Sequence, residues 1–214
     1  MIRFIDIFLS TLFLLILFPV FLIICFILKI SDEGEVFFLQ ERIGKNLQTF
    51  KVVKFVTMKK NSPNIGSGTI TLQDDNRILP FGKFLRKYKI NELPQLLNVL
   101  KGEMSFIGPR PLTEETFSFY SRDGKDQIVK IKPGLSGIGS IVFRNEEEFI
   151  GNDYDSVNNY QLKIAPFKER LELWYVNNIS FFLYLKLFFI TIWVVLFKNS
   201  KIHEKLLSAP FQDG

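Results

Sequence analysis

The stretch NELPQLLNVLKGEMSFIGPRP, residues 91–111, decides how the chain folds. Pro94 fixes its own φ and disfavours the α region for Leu93, so a new helix is expected to begin at this proline. Residues 105–112 (SFIGPRPL) cannot be regular helix with Pro109 and Pro111 so close together. Glu92 therefore stands just ahead of a helix start, where free backbone N–H groups attract phosphate or carboxylate. Arg110, held between two prolines, has few backbone options, and a rigid guanidinium fork suits bidentate phosphate binding. Arg77, Lys83, Arg86 and Lys87 add positive charge nearby in sequence. A plainer reading makes Glu92 an N-cap carboxylate and Arg110 its salt-bridge partner.

Working outward, residues 81–101 read as mainly helical. Residues 35–42 (EVFFLQER) and 48–55 (QTFKVVKF) are short, apolar and β-leaning, and the GKN stretch between them can turn, which predicts a hairpin. Residues 59–74, with Pro63, Gly66 and Gly68, read as loop, and 113–131 as mixed helix and loop. A turn is expected at Pro133-Gly134. Residues 165–176 have helical spacing, with Phe167, Leu171 and Trp174 on one stripe. The apolar run 179–197 is interrupted by Lys186, which is expensive at a bilayer centre, and is rich in aromatic residues. It is expected to lie in a membrane interface or to pack on the domain. The glycine spacings at 66–68 and 134–139 complete neither a dinucleotide-binding fingerprint nor a Walker motif.

At the N-terminus, residues 7–28 carry no charge; 22 residues are enough for roughly 30 Å of hydrocarbon if straight. Arg3 and Asp6 precede the run and Lys29 follows it. The run is too long for a typical signal-peptide core, and no small-residue cleavage site follows. Pro19, near its middle, removes a backbone donor, so a kink or break is expected there. A kinked helix could cross the membrane, or a helix–break–helix hairpin could dip in and return to the same face.

Composition narrows the classes further. Hydrophobic residues make up 47% of the 214 residues, 24 of them Phe, and basic residues outnumber acidic ones by 27 to 22. An apolar, mildly basic chain suits an anionic membrane surface or a phosphate-bearing substrate. The basic residues are scattered without a nucleic-acid motif, so nucleic acid is not an expected partner. The only cysteine, Cys25, permits no internal disulfide. With the single His203 it excludes a Cys/His zinc site and a Cys–His nucleophilic pair.

The central run, together with the Arg3/Asp6 start and its proline-interrupted helix, Phe37 to Gly44, Lys54 to Met58, Asp75 to Arg86, Lys132 to Gly137 and Trp174 to Ser180, resembles the bacterial sugar transferases, the monotopic phosphoglycosyl transferases. That resemblance, over almost the whole chain, implies an α+β fold: a small, mostly helical cytosolic domain with a short β-hairpin and interfacial amphipathic helices (residues 31–214). It also implies a re-entrant membrane hairpin over residues 1–30, broken at Pro19, on the cytoplasmic face of the bacterial inner membrane. The implied reaction moves a sugar-1-phosphate from a UDP-sugar to polyprenyl (undecaprenyl) phosphate, with Mg²⁺, releasing UMP at the start of surface glycan synthesis. An Asp-Glu dyad does the chemistry: the aspartate attacks the β-phosphate, UMP leaves, and the carrier takes the phosphosugar. Self-association is left open.

Mapped onto this chain, Glu92 is the reactive or metal-binding carboxylate and Asn91 occupies the nucleophile position. Lys54 and Arg110 hold phosphates or uridine, Arg77 and Arg86 are lesser phosphate candidates, and Pro19 sets the membrane break. Asn91 is the main departure from the pattern, because an amide is a poor nucleophile and a weak magnesium ligand. Three readings stand. Glu92 acts as nucleophile, or as base for direct displacement; the chain is an impaired homologue serving as a substrate-binding or partner subunit; or Asn91 is an introduced change. Smaller departures are Phe18 for the serine before the hairpin proline, Val56 for a basic residue, and Tyr184 at a late aspartate position. Glu172 matches an acidic position near the start of the last helices.

Overall fold

The computed structural model describes residues 1–31, 33–62, 75–144, 156–197 and 200. The fold is α+β. His203, Gly66, Gly68 and most of the 59–74 loop fall outside the described residues.

One helix, α1 (Ile2–Ile30), takes up the whole N-terminal run with Pro19 inside it. An outright break is thus corrected, while the kinked alternative stands: Pro19 removes one hydrogen bond, but the helix continues on both sides. Packing is the reason. Ile5, Leu9, Phe13, Leu17, Phe21 and Leu28, at helical spacing, keep one face against the domain through and beyond the proline. Phe13 meets Phe106 edge-on at 6.0 Å and Phe21 meets Phe55 at 5.2 Å. The opposite face leaves Phe4, Phe8, Leu15, Ile16, Phe18, Ile23 and Phe26 exposed. By length and composition α1 could cross a membrane.

The predicted hairpin forms from β1 (Phe37–Ile43) and β2 (Thr49–Phe55), antiparallel, with Phe37 opposite Phe55 and Ile43 opposite Thr49. Asn46 turns the corner in the left-handed region. Next come α2 (Pro80–Lys87), a 3₁₀ segment (Ile90–Gln95) and α3 (Leu96–Lys101). Pro94 does not start the helix as expected; it lies within the 3₁₀ turn, and α3 begins at Leu96. Nor does Glu92 cap a helix: α3 follows Gln95 with no side-chain cap.

Two corrections concern the glycine-rich stretches. β3 (Ser105–Ile107) pairs in parallel with β4 (Gly134–Ser136), so Pro133-Gly134 leads into a strand and not around a turn. Gly134 N–H donates to Pro109 O at 2.8 Å, and Gly108 N–H to Ser136 O at 3.0 Å. A Cβ on Gly108 or Gly134 would collide with the opposing backbone.

The remaining elements are α4 (Glu114–Ser118), α5 (Arg122–Ile128) and α6 (Ile138–Val142), then α7 (Ser156–Asn159), which passes through a π turn (Tyr160–Ile164) into α8 (Ala165–Asn177), and last α9 (Phe181–Leu196). The core gathers Val99, Met104, Ile107, Ile138, Leu171 and Leu187. In α8 the expected stripe of Phe167, Leu171 and Trp174 packs on the core. Lys168, Glu169, Glu172 and Tyr175 are buried with Leu171, which the stripe did not anticipate. Helix α9 packs Tyr184, Leu187, Ile190 and Val194 on the domain and exposes Phe182, Phe189 and Trp193 on the other side.

Candidate active site

Glu92 projects from the 3₁₀ segment and Arg110 from the extended run after β3. They meet: Arg110 Nη2 donates to Glu92 Oε1 at 2.7 Å. The prolines on either side of Arg110 hold its backbone extended, and three contacts fix the run. Arg42 of β1 donates from Nη1 to Pro111 O at 3.0 Å, Gly134 N–H donates to Pro109 O, and Glu172 accepts from Arg110 N–H at 3.4 Å.

Lys54 reaches the same place from β2. It is positioned by Asn98, which sequence reasoning missed. This side chain is fully buried, accepts from Val53 N–H at 3.0 Å and donates to Lys51 O at 2.8 Å. It thereby stitches α3 along β2 on either side of Val52. A buried asparagine between two apolar elements is the only signal that could have found it.

The electrostatics follow from crowding. Burial would raise Glu92, but Arg110 and then Lys54 outweigh it and hold the carboxyl well below the usual range. Glu92 is therefore ionised at neutral pH. Its contribution to stability is present above the unfolded value and fades as pH falls below it. Burial pushes Lys54 down to about 7; Glu92 opposes this, while Arg42, Arg110 and Arg86 reinforce it. Arg42 is pushed down to about 10, by burial first and then by Arg110. Among the described residues Lys54 makes no hydrogen bond or ion pair, and Arg42 Nε is buried without a partner. Three cations, Arg42, Lys54 and Arg110, thus surround one carboxylate, an arrangement that can take a further anion.

A bound phosphate should restore the proton to Lys54. Calorimetry with UDP as a diphosphate probe, in buffers of different ionisation heat, is expected to show uptake of about half a proton at pH 7. Affinity should fall above pH 7 by up to about tenfold per pH unit. Lys54→Met should abolish both effects, and pH-independent binding by the unaltered chain would contradict them.

The other sequence candidates divide. Arg86 lies close enough to repel Lys54. Arg77 is committed elsewhere: it is 6% exposed, donates from Nε to Asp75 Oδ1 at 2.8 Å and from Nη1 to Ser62 O at 2.8 Å, and so ties together the flanks of the 63–74 segment. Asn91 is buried beside Glu92, and its Oδ1 accepts no hydrogen bond. Tyr184 lies elsewhere, buried and bonded to Asp6. Glu172, packed against Gly137 and Gly139, is pushed by burial up to about 7, although the Arg110 N–H and the Lys168 charge pull it down. The folded state holds that proton more tightly than the unfolded chain, so Glu172 lowers stability as pH rises towards 7.

No cluster of three or more His, Cys, Asp or Glu side chains gathers among the described residues. Glu92 and Asn91, whose Oδ1 accepts no hydrogen bond, offer oxygen donors from successive residues. This fits Mg²⁺, which takes one or two protein oxygens and completes its shell with phosphate and water.

Fold and site together define a protein with a long, lipid-suited helix whose domain presents a cationic pocket closed on one carboxylate. The chain belongs to the bacterial sugar transferase family, whose model matches residues 1–198. It is 36% identical over 174 residues to the exopolysaccharide production protein ExoY of Sinorhizobium fredii, covering 73% of this chain and 76% of that protein. It is 33% identical to a UDP-N-acetylgalactosamine-undecaprenyl-phosphate N-acetylgalactosaminephosphotransferase of Aeromonas hydrophila, covering 83% of this chain and 39% of that one. It is also 33% identical to the galactosyl transferase CpsE of Streptococcus agalactiae, covering 78% and 36%.

Proposed function

We propose that this chain transfers a sugar-1-phosphate from a UDP-sugar to polyprenyl phosphate, releasing UMP, in the synthesis of a surface polysaccharide. The observation that carries the reading is the Glu92–Arg110 pair at 2.7 Å with Lys54 and Arg42 around it. Arg110 and Lys54 hold the diphosphate, and Arg42 fixes the Arg110 segment. Glu92, kept ionised by its neighbours, supplies the carboxylate at the reacting phosphorus. Glu92 and Asn91 would hold Mg²⁺, which would supply further charge neutralisation when bound.

The membrane arrangement we infer is monotopic, on the cytoplasmic face of the inner membrane. Both ends of α1 pack on the same domain: Asp6 on β3 and α9, Leu28 on Phe55 and Leu85. A helix docked at both ends on one body does not deliver those ends to opposite sides of a bilayer. Its outward phenylalanines and leucines then face lipid, where the polyprenyl carrier resides.

The test is UMP release by the purified chain with UDP-sugars, Mg²⁺ and undecaprenyl phosphate. Turnover that falls at least about a hundredfold in Glu92→Gln is expected. Release that is unchanged in Glu92→Gln would refute the assignment of the carboxylate. Asn91 favours a second reading, a donor-binding subunit with impaired chemistry. It is distinguished by tight UDP-sugar binding without UMP release.

A further inference from the structure

The polar first turn of α1 touches the two chain segments that carry Glu92 and Arg110, each at the end away from those residues. Arg3 donates from Nη1 to Val99 O at 2.5 Å and from Nη2 to Leu100 O at 2.7 Å, closing the last turn of α3. Helix α3 continues directly from the 3₁₀ segment of Glu92. Asp6 accepts from Ser105 Oγ at 3.0 and 3.1 Å, from Phe106 N–H at 3.1 Å and from Tyr184 OH at 2.7 Å. Phe106 lies in β3, four residues before Arg110, and rigid Pro109 stands between. Asp6 is 2% exposed and Tyr184 fully buried, in a contact that is otherwise apolar.

An apolar helix face alone lets a helix slide and rotate. A buried, fully hydrogen-bonded charge does not, because any shift strands it without partners. The guanidinium of Arg3 also sits against Gly102, the left-handed residue that ends α3, where an added Cβ would come within 3.0 Å of Nη2. The same turn of α1 therefore fixes the end of α3 and the first strand residues of the Arg110 segment in one register.

We propose that Arg3 and Asp6 are positioning residues: the membrane helix sets the separation of Glu92 and Arg110 by holding α3 and β3 from a single turn. Their kinetic effect rests on the transferase reading, but the geometry can be tested without it. In the full-length protein, Asp6→Ala is expected to raise hydrogen exchange at Phe106 and across 108–112 at least tenfold. Arg3→Ala should do so across 96–101, with the 37–55 hairpin unchanged in both variants. Asp6→Asn, which restores shape and an acceptor, should recover part of the protection. If Asp6→Ala fails to fold, Tyr184→Phe removes one of the three bonds and should give a smaller rise at the same amides. Exchange that rises throughout the domain, or only within α1, would overturn the proposal.

Kinetics form the second arm. In whichever of the unaltered chain and Asn91→Asp releases UMP, Asp6→Ala should lower kcat tenfold or more per folded molecule and move KM less than threefold. Adding Arg110→Lys should then reduce turnover by less than it does alone, since the two act on one geometry. Equal losses in both backgrounds, or kcat within threefold, would count against positioning. Absence of UMP from both chains would refute the transferase reading and leave the exchange measurement to decide the proposal.

Discussion

Replacing Asn91 with aspartate is expected to raise UMP release at least about tenfold, a gain of about 1.4 kcal/mol in transition-state stabilisation. Asn91 is buried beside Glu92 with an oxygen that accepts nothing, so a carboxylate fits the same space. The site can bear the added charge, because Arg42, Lys54 and Arg110 all lie around Glu92. The new anion should raise Lys54 towards its ordinary value and extend donor binding to higher pH. On the transferase reading, an oxygen of the introduced carboxylate attacks the β-phosphorus of the UDP-sugar. The bond to the bridging oxygen breaks and UMP leaves with the electron pair. Polyprenyl phosphate then displaces the carboxylate from phosphorus. Intact-protein mass spectrometry without the lipid acceptor should show one added phosphosugar. An Asn91→Asp chain no faster than the unaltered one, and carrying no adduct, would mean that this position is not the nucleophile's.

Removing Arg110 is expected to have a large effect in the opposite direction. Arg110→Ala should lower kcat/KM by about 10²–10³-fold, the usual loss for a donor aimed at developing phosphate charge. Arg110→Lys should recover little, because a single ammonium cannot reproduce the planar fork. The pH profile supplies a sharper signature. With Arg110 gone, burial acts on Glu92 against only Lys54 and Lys89, so its pKa climbs and the acid limb of the activity profile moves to higher pH. The half-buried pair also contributes to folding, and its loss should cost about 1–3 kcal/mol, read as a lower Tm. A profile whose acid limb stays in place would separate Glu92 from the reaction.

The hairpin, the helical character of 81–101 and the Glu92–Arg110 meeting were legible because each rests on local signals: β-leaning runs around a turn, and a proline-locked arginine with one acid close in sequence. Pro94 misled because a proline can sit within a 3₁₀ turn as well as at N1, and Lys89 in the left-handed region opens such a turn. Pro133-Gly134 misled because the reason for the glycine is a backbone more than twenty residues away, at Gly108. Arg77 was placed by proximity in sequence, but Asp75, two residues earlier, satisfies it. Asn98 and Arg42 escaped notice because their roles come from long-range contacts. Pro19 misled for the opposite reason: its local effect was read correctly, but tertiary packing carries the helix past it.

The bonds of Asp6 span 99 residues to Ser105 and 178 to Tyr184. The helix bearing this acid leaves the ribosome 178 residues ahead of its last partner, Tyr184. At about 5–20 residues per second the interval is roughly 10–35 s, during which a nascent greasy segment carries an unsatisfied carboxylate. That acid keeps the first turn near water until α9 arrives. Emergence of α9, rather than insertion of α1, therefore marks the moment at which the anchor locks.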